Sequence, residues 1–136
     1  MASIRARLLH PFRRVERDER GFETAETVIV LPMLLLFIFA IVQGGLWYHG
    51  TNLVQAAAVN AYEAARLYDG NTTDGVNAGT ATAEQAGGML TDVNVNVERN
   101  ATEVTATVTA VTPGLLPGVN TTVTKTITGP IERWVP

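Results

Sequence analysis

Cysteine is absent from this chain of 136 residues, serine occurs once, at Ser3, and lysine once, at Lys125. Without thiols no disulfide can help a small fold hold together. There is no serine-nucleophile motif, no glycine-rich phosphate loop, and no pair of acids at metal-ligand spacing, so no enzyme, cofactor or metal site is expected. The two histidines, His10 and His49, lie on either side of a long apolar run and cannot share a metal. Net charge is only -3, and most arginines crowd the first twenty residues, leaving no later basic face of the kind nucleic acid requires. Nucleic acid is therefore not an expected partner.

What the chain does have is length without charge. From Val28 to Tyr48 the one strongly polar side chain before the aromatic end is Gln43. About 21 residues at 1.5 Å each reach roughly 31 Å, enough to cross the hydrocarbon of a bilayer. Arg5, Arg7, Arg13, Arg14, Arg17 and Arg20 precede the run, whereas beyond it acids outnumber Lys125 and the remaining arginines. The positive-inside rule then keeps the N-terminal arm in the cytoplasm and exports everything after Tyr48, with Trp47 and Tyr48 at the outer interface. The expected organisation is a basic leader over residues 1–21, a membrane helix over 22–48 in contact with lipid, and an exported part over 49–136. That exported part is near the lower size limit for one core.

Its composition reads as α+β. Thr51 to Tyr68 keeps high helix propensity, and Leu46, Leu53, Ala57, Ala61, Ala64 and Tyr68 form a narrow stripe of mostly small residues. Such a stripe permits close helix approach, and alanine is equally the best helix former. Asp69 to Gly75 reads as a turn, followed by a weaker helix from about Asn77 to Leu90 interrupted at Gly87-Gly88. Val93, Val95 and Val97 then alternate with polar residues, as do Val104, Ala106, Val108 and Ala110, predicting an antiparallel hairpin joined at Arg99-Asn100-Ala101. A loop carrying Leu115 and Leu116 leads to a third strand from Val119 to Thr128, stopped by Gly129-Pro130. Three strands with one apolar face need a cover, from the second helix, the outer half of the long helix, or another subunit. The expected architecture is a long N-terminal transmembrane helix extending into a small domain with a short helix and a three-stranded antiparallel sheet.

The junction Arg20-Gly21-Phe22-Glu23-Thr24-Ala25-Glu26 carries the chemistry. A cut between Gly21 and Phe22 would remove the basic arm, keep the apolar helix, and leave Glu26 as the fifth residue of the new chain. A secretory signal does the reverse and loses its apolar part. In this the sequence resembles class III prepilins, substrates of prepilin peptidase, in which a glutamate at this position is thought to meet the freed amine of a neighbouring subunit. With Ala25-Glu26, Val30-Leu31-Pro32-Met33-Leu34-Leu35-Leu36, Ala64-Ala65-Arg66, the alternating strands and the Pro130-Ile131-Glu132-Arg133 ending, it resembles more closely the TadE-like pseudopilins of tight-adherence (Flp-type) pilus systems. That resemblance implies a minor pilin or pseudopilin acting in pilus assembly. Its implied partners are prepilin peptidase, other pilins or pseudopilins, and the pilus assembly platform. It also implies Gly21 and Phe22 as the processing site and Glu26 as the assembly residue. Phe22-Glu23 departs from the small residues of many relatives and puts a second carboxylate near the cut.

Plainer readings stand beside these. Glu26 is also what a helix dipole favours in a first turn, with Thr24 as a nearby cap. Pro32 is either a bend or a tolerated membrane proline, and Ala40 with Gly44 is a small-residue pair of a common kind. Asn71-Thr72-Thr73, Asn100-Ala101-Thr102 and Asn120-Thr121-Thr122 fit a glycosylation pattern but read as solvated turns. The alternative function is an unprocessed single-pass envelope scaffold or binding module. A third reading, release by ordinary signal peptidase at Ala56-Ala57-Ala58, places the cut far beyond the apolar run.

Overall fold

The computed structural model describes residues 17–136. The basic arm before Arg17, with His10 in it, lies outside the described residues. Helix α1 runs Arg17–Arg66, helix α2 Thr72–Glu84, and a 3-10 turn Gly87–Met89 leads into strands β1 (Thr91–Arg99), β2 (Glu103–Thr112) and β3 (Thr121–Pro130). The strands form one antiparallel sheet in the order β1-β2-β3. The α+β architecture expected from the sequence is the one observed.

The chain divides into two compact units between Phe37 and Ile38, and each is described separately. In the first, α1 is a single exposed helix. Val28, Ile29, Met33 and Leu36 are each more than 60% exposed. A chain that left such a face to water would forgo roughly 1.5–3 kcal/mol per large side chain. This stretch begins the helix segment that is long and apolar enough to cross a membrane. Pro32 lies inside α1 without ending it, at the sacrifice of one backbone hydrogen bond.

In the second unit the apolar face of the sheet is covered by helices of the same chain. Val54, Ala57 and Ala58 of α1 pack with Ala83 of α2, Leu90, and Val108, Ala110 and Val123 of the sheet. Ala61, Tyr62 and Ala65 continue this core over Val97, Val104 and Ala106. The buried face of α1 thus runs through residues 54, 57, 58, 61 and 65. It takes Ala57 and Ala61 from the expected stripe but leaves Tyr68 exposed and Ala64 half-buried.

Small residues are needed here because α2 lies tight against α1. A β-carbon on Gly75 would sit 2.8 Å from the Ala61 carbonyl oxygen and from Ala65 Cβ, and one on Gly79 would sit 2.9 Å from Ala61 Cβ and Val95 Cγ1. Real side chains do not approach so closely, so glycine at both positions sets the helix–helix distance. Asn60 Nδ2 donates to Thr82 Oγ1 at 2.8 Å across the same contact.

Three elements differ from the sequence expectation. Helix α2 starts at Thr72, not near Asn77, because Asn71 caps it. Its side chain accepts from the Asp74 amide at 3.0 Å, and the Asp74 carboxylate accepts from the Asn71 amide at 3.2 Å. The residues read as turn chemistry are thus largely a helix start. Strand β3 begins at Thr121 and continues through Gly129-Pro130, pairing Gly129 with Val104 and Pro130 with Glu103. Pro130 is tolerated because β3 is an edge strand. In β1 one extra residue between Thr91 and Asn94, with Asp92 at φ 49°, makes a bulge, so the inward alternation starts at Val95 and Val93 stays exposed.

Asn100 closes the β1–β2 hairpin by accepting from the Thr102 and Glu103 amides at 2.9 and 2.8 Å. Asn71 and Asn100 therefore both act as local backbone caps. The outward face of the sheet carries the threonine pairs Thr105–Thr128, Thr107–Thr126 and Thr109–Thr124, with hydroxyls 3.0–3.1 Å apart.

Candidate processing and assembly site

Gly21, Phe22 and Glu26 all lie on α1. The helix is already formed at Arg17, so Glu26 and Thr24 are inside it and neither occupies its first turn. The helix-dipole account of Glu26, with Thr24 as cap, does not apply to the uncut chain. A cut at Gly21 would change this and place Glu26 close to a new N-terminus.

Gly21 is exposed, and a β-carbon there would meet nothing within 4 Å. Packing therefore does not require glycine at this position. A peptide bond held in a helix must be unwound before a protease can take it in extended form, and glycine is about 1 kcal/mol worse than alanine in a helix interior. Glycine at this position therefore makes local unwinding of the helix easier.

Glu26 is exposed and shares an open groove along α1 with Thr27, Val30, Leu31 and Leu34. Among the described residues, no cation or hydrogen-bond donor answers its carboxylate. An acid on such an apolar surface is costly in lipid, about 2.5–3.5 kcal/mol at mid-membrane and less near an interface, until a partner neutralises it. Ala40 and Gly44 are likewise exposed, and Gly44 has open space at its α-carbon.

The other end of α1 is pinned by side chains whose role sequence reading does not reveal. Arg66 stacks over Tyr62 at 5.4 Å and pairs with Glu63 at 3.3 Å and Glu132 at 3.8 Å. Its carbonyl accepts from the Glu132 amide at 2.9 Å, and Arg99 Nη1 donates to the Ala65 carbonyl at 2.9 Å. These bonds satisfy carbonyls that a helix end leaves open. Ala57 and Ala58 are fully buried, so a signal-peptidase cut at Ala56-Ala57-Ala58 would sever α1 within the core. Among the described residues no group of three or more His, Cys, Asp or Glu could hold a metal ion.

Residues 21–66, from the glycine of the junction to the arginine closing α1, match the model of the TadE-like protein family. The resemblance drawn from the residues of α1 is thereby shown, and it is consistent with a protein of tight-adherence pili. The strands and the Pro130–Arg133 ending lie outside the matched residues. No curated protein and no solved structure gives a significant match to the chain.

Proposed function

We propose that this protein is a minor pilin or pseudopilin that acts in assembly of a tight-adherence pilus. In this reading residues 1–21 form a cytoplasmic leader, prepilin peptidase cuts between Gly21 and Phe22, and residues 22–48 span the membrane. The domain over 49–136 is exported. The observation that carries the proposal is the Glu26 carboxylate, unanswered among the described residues, on an exposed apolar helix five residues beyond Gly21 and within the family match. The freed amine of Phe22 on a neighbouring pilin would supply the cation. Helix packing would supply the remaining affinity, as the mature chain joins other pilins on the assembly platform.

The test is the intact mass and N-terminal residue of membrane-extracted protein from cells with and without prepilin peptidase. A chain beginning at Phe22 only when the peptidase is present is expected. A chain that keeps its arginine arm in both would instead make it an unprocessed single-pass anchor. Gly21→Arg should abolish the cut, whereas Gly21→Ala should retain part of it. Glu26→Ala should leave insertion intact and lower pilus output, and normal piliation in that strain would remove the assembly role.

A further inference from the structure

The loop between β2 and β3 is apolar, closed on itself, and tied to the outer end of the apolar run. From Pro113 to Val119 it has no charged side chain. Leu115, Leu116 and Val119 are 42%, 53% and 44% exposed. The Val119 amide donates to the Leu116 carbonyl at 3.1 Å, with Pro117 and Gly118 between them and Gly118 at φ 84°. That is a type II turn with proline and glycine at the positions it favours. Gly114 packs so closely on the Val119 carbonyl that no side chain fits between them. The tip is thus a preformed shape that holds its leucines outward.

Its place on α1 is set by one bond. The Leu115 amide donates to Gln43 Oε1 at 2.7 Å, and both residues belong to the unit Ile38–Pro136. Gln43 is the strongly polar residue within the apolar run, and Trp47 lies one helical turn beyond it, about 6 Å along the axis. Phe39 and Val42 beside it are exposed. The loop amide is therefore held on the hydrocarbon side of the aromatic level, where a bare amide or carboxamide finds little water and must be satisfied within the protein. Gln43 and Leu115 satisfy one another there.

We infer that the loop Pro113–Val119 is a second lipid contact. It dips into the leaflet on the exported side, beside α1, and fixes the height of the sheet above the bilayer. The inference rests on the reading that α1 spans the membrane. Bilayer lipid is the occupant that fits, because the patch is uncharged and continues the exposed apolar surface of α1 at the depth of Gln43. An amphipathic element with Trp47 and Tyr48 at its edge is the usual form of an interfacial anchor.

The chain has no cysteine, so single labels are unambiguous. The full-length protein would be reconstituted in phosphatidylcholine vesicles containing a phosphatidylcholine with an acyl-chain nitroxide. Leu116→Cys, Phe39→Cys and Asn96→Cys variants would each carry an environment-sensitive fluorophore. Quenching at Leu116 by the lipid nitroxide, as at Phe39, together with iodide quenching several-fold weaker than at Asn96, is expected. Iodide access at Leu116 equal to that at Asn96 would overturn the inference. Protection from both quenchers, the mark of a second copy or another protein over the loop, would overturn it too. Absence of lipid quenching at Phe39 would instead break the membrane reading on which it rests. Gln43→Leu keeps the helix apolar but removes the acceptor, and should cut lipid quenching at Leu116. Unchanged quenching would dismiss Gln43 as the hook.

Discussion

One helix carries two opposite surfaces. Between Val28 and Val42 the large side chains of α1 point outward, with Leu36 and Phe37 at 68% and 64% exposure. Between Gly50 and Ala65 the same helix buries Val54, Ala57, Ala58, Ala61 and Ala65 completely. Size and burial are thus inverted along one continuous element. Hydrophobicity alone does not separate the two halves, because alanine and leucine are both good helix formers and both apolar. What separates them is packing: the first half is exposed, and the second lies under a sheet and a second helix. A lipid-facing helix gains from bulk in every direction, whereas a helix under a sheet and a second helix gains from backbones that come close.

Gly50 marks the change. It is the first buried residue among the described side chains of α1, and the Thr112 side chain rests directly on its α-carbon. From there the interface is built from alanines on α1, Gly75 and Gly79 on α2, and alternating valines and alanines on β2.

The sharpest way to break the comparison is to add bulk to the tight half. Gly79→Leu must displace Ala61 and the Ala57 carbonyl, and should destabilise the second unit by about 3 kcal/mol or more, the upper end for overpacking. Thermal unfolding of the full chain in detergent, followed by circular dichroism and by protease resistance of the sheet, would show it. An unaltered transition would mean the two helices are not in close contact.

Removing bulk tests the same contrast from the other side. Val108→Ala empties a fully buried position between helix and sheet and should cost about 2 kcal/mol. Leu36→Ala removes more volume from the exposed half and should leave that transition unmoved. Equal losses from both would show that residues near Leu36 are packed by protein in the monomer.

The smallest effect belongs to the cap. Asn71→Ala removes the side-chain acceptor of the Asp74 amide, leaving only the Asn71 amide bond to the Asp74 carboxylate, and should cost about 1 kcal/mol, visible as faster hydrogen exchange over the first turn of α2. An exchange rate identical to the parent would place the start of α2 under the control of Gly75 packing alone.

Much of this was legible from local pattern. The apolar run of α1, the alternation of β2 and the turn chemistry at Asn100 each express a period or propensity held within a few residues, so composition and spacing suffice to find them. The residues Gly21 to Glu26 likewise lie within a few residues of one another on a single helix. The start of α2 is not fixed by sequence, because Asn71 and Asp74 serve equally well in a turn and in a capping box, and only the following packed helix decides between them. The end of β3 is likewise not fixed by sequence, because proline stops a strand only where its missing N–H is needed, and the edge position of β3 removes that need.

Long-range contacts decided the rest. Alternation along a strand shows that one face is apolar, and spacing along a helix shows that a stripe is small, but neither says what covers them. That the stripe of α1 closes over its own sheet depends on Gly75 and Gly79 meeting Ala57, Ala61 and Ala65 across the chain. The same holds for Arg66, whose partners Tyr62 and Glu132 lie on a helix and a distant terminus, and for Gln43, whose acceptor oxygen meets an amide 72 residues away. A periodic signal is written in neighbours along the chain, whereas a pairing is the outcome of the whole fold competing for the lowest free energy, and it exists only once the chain has closed.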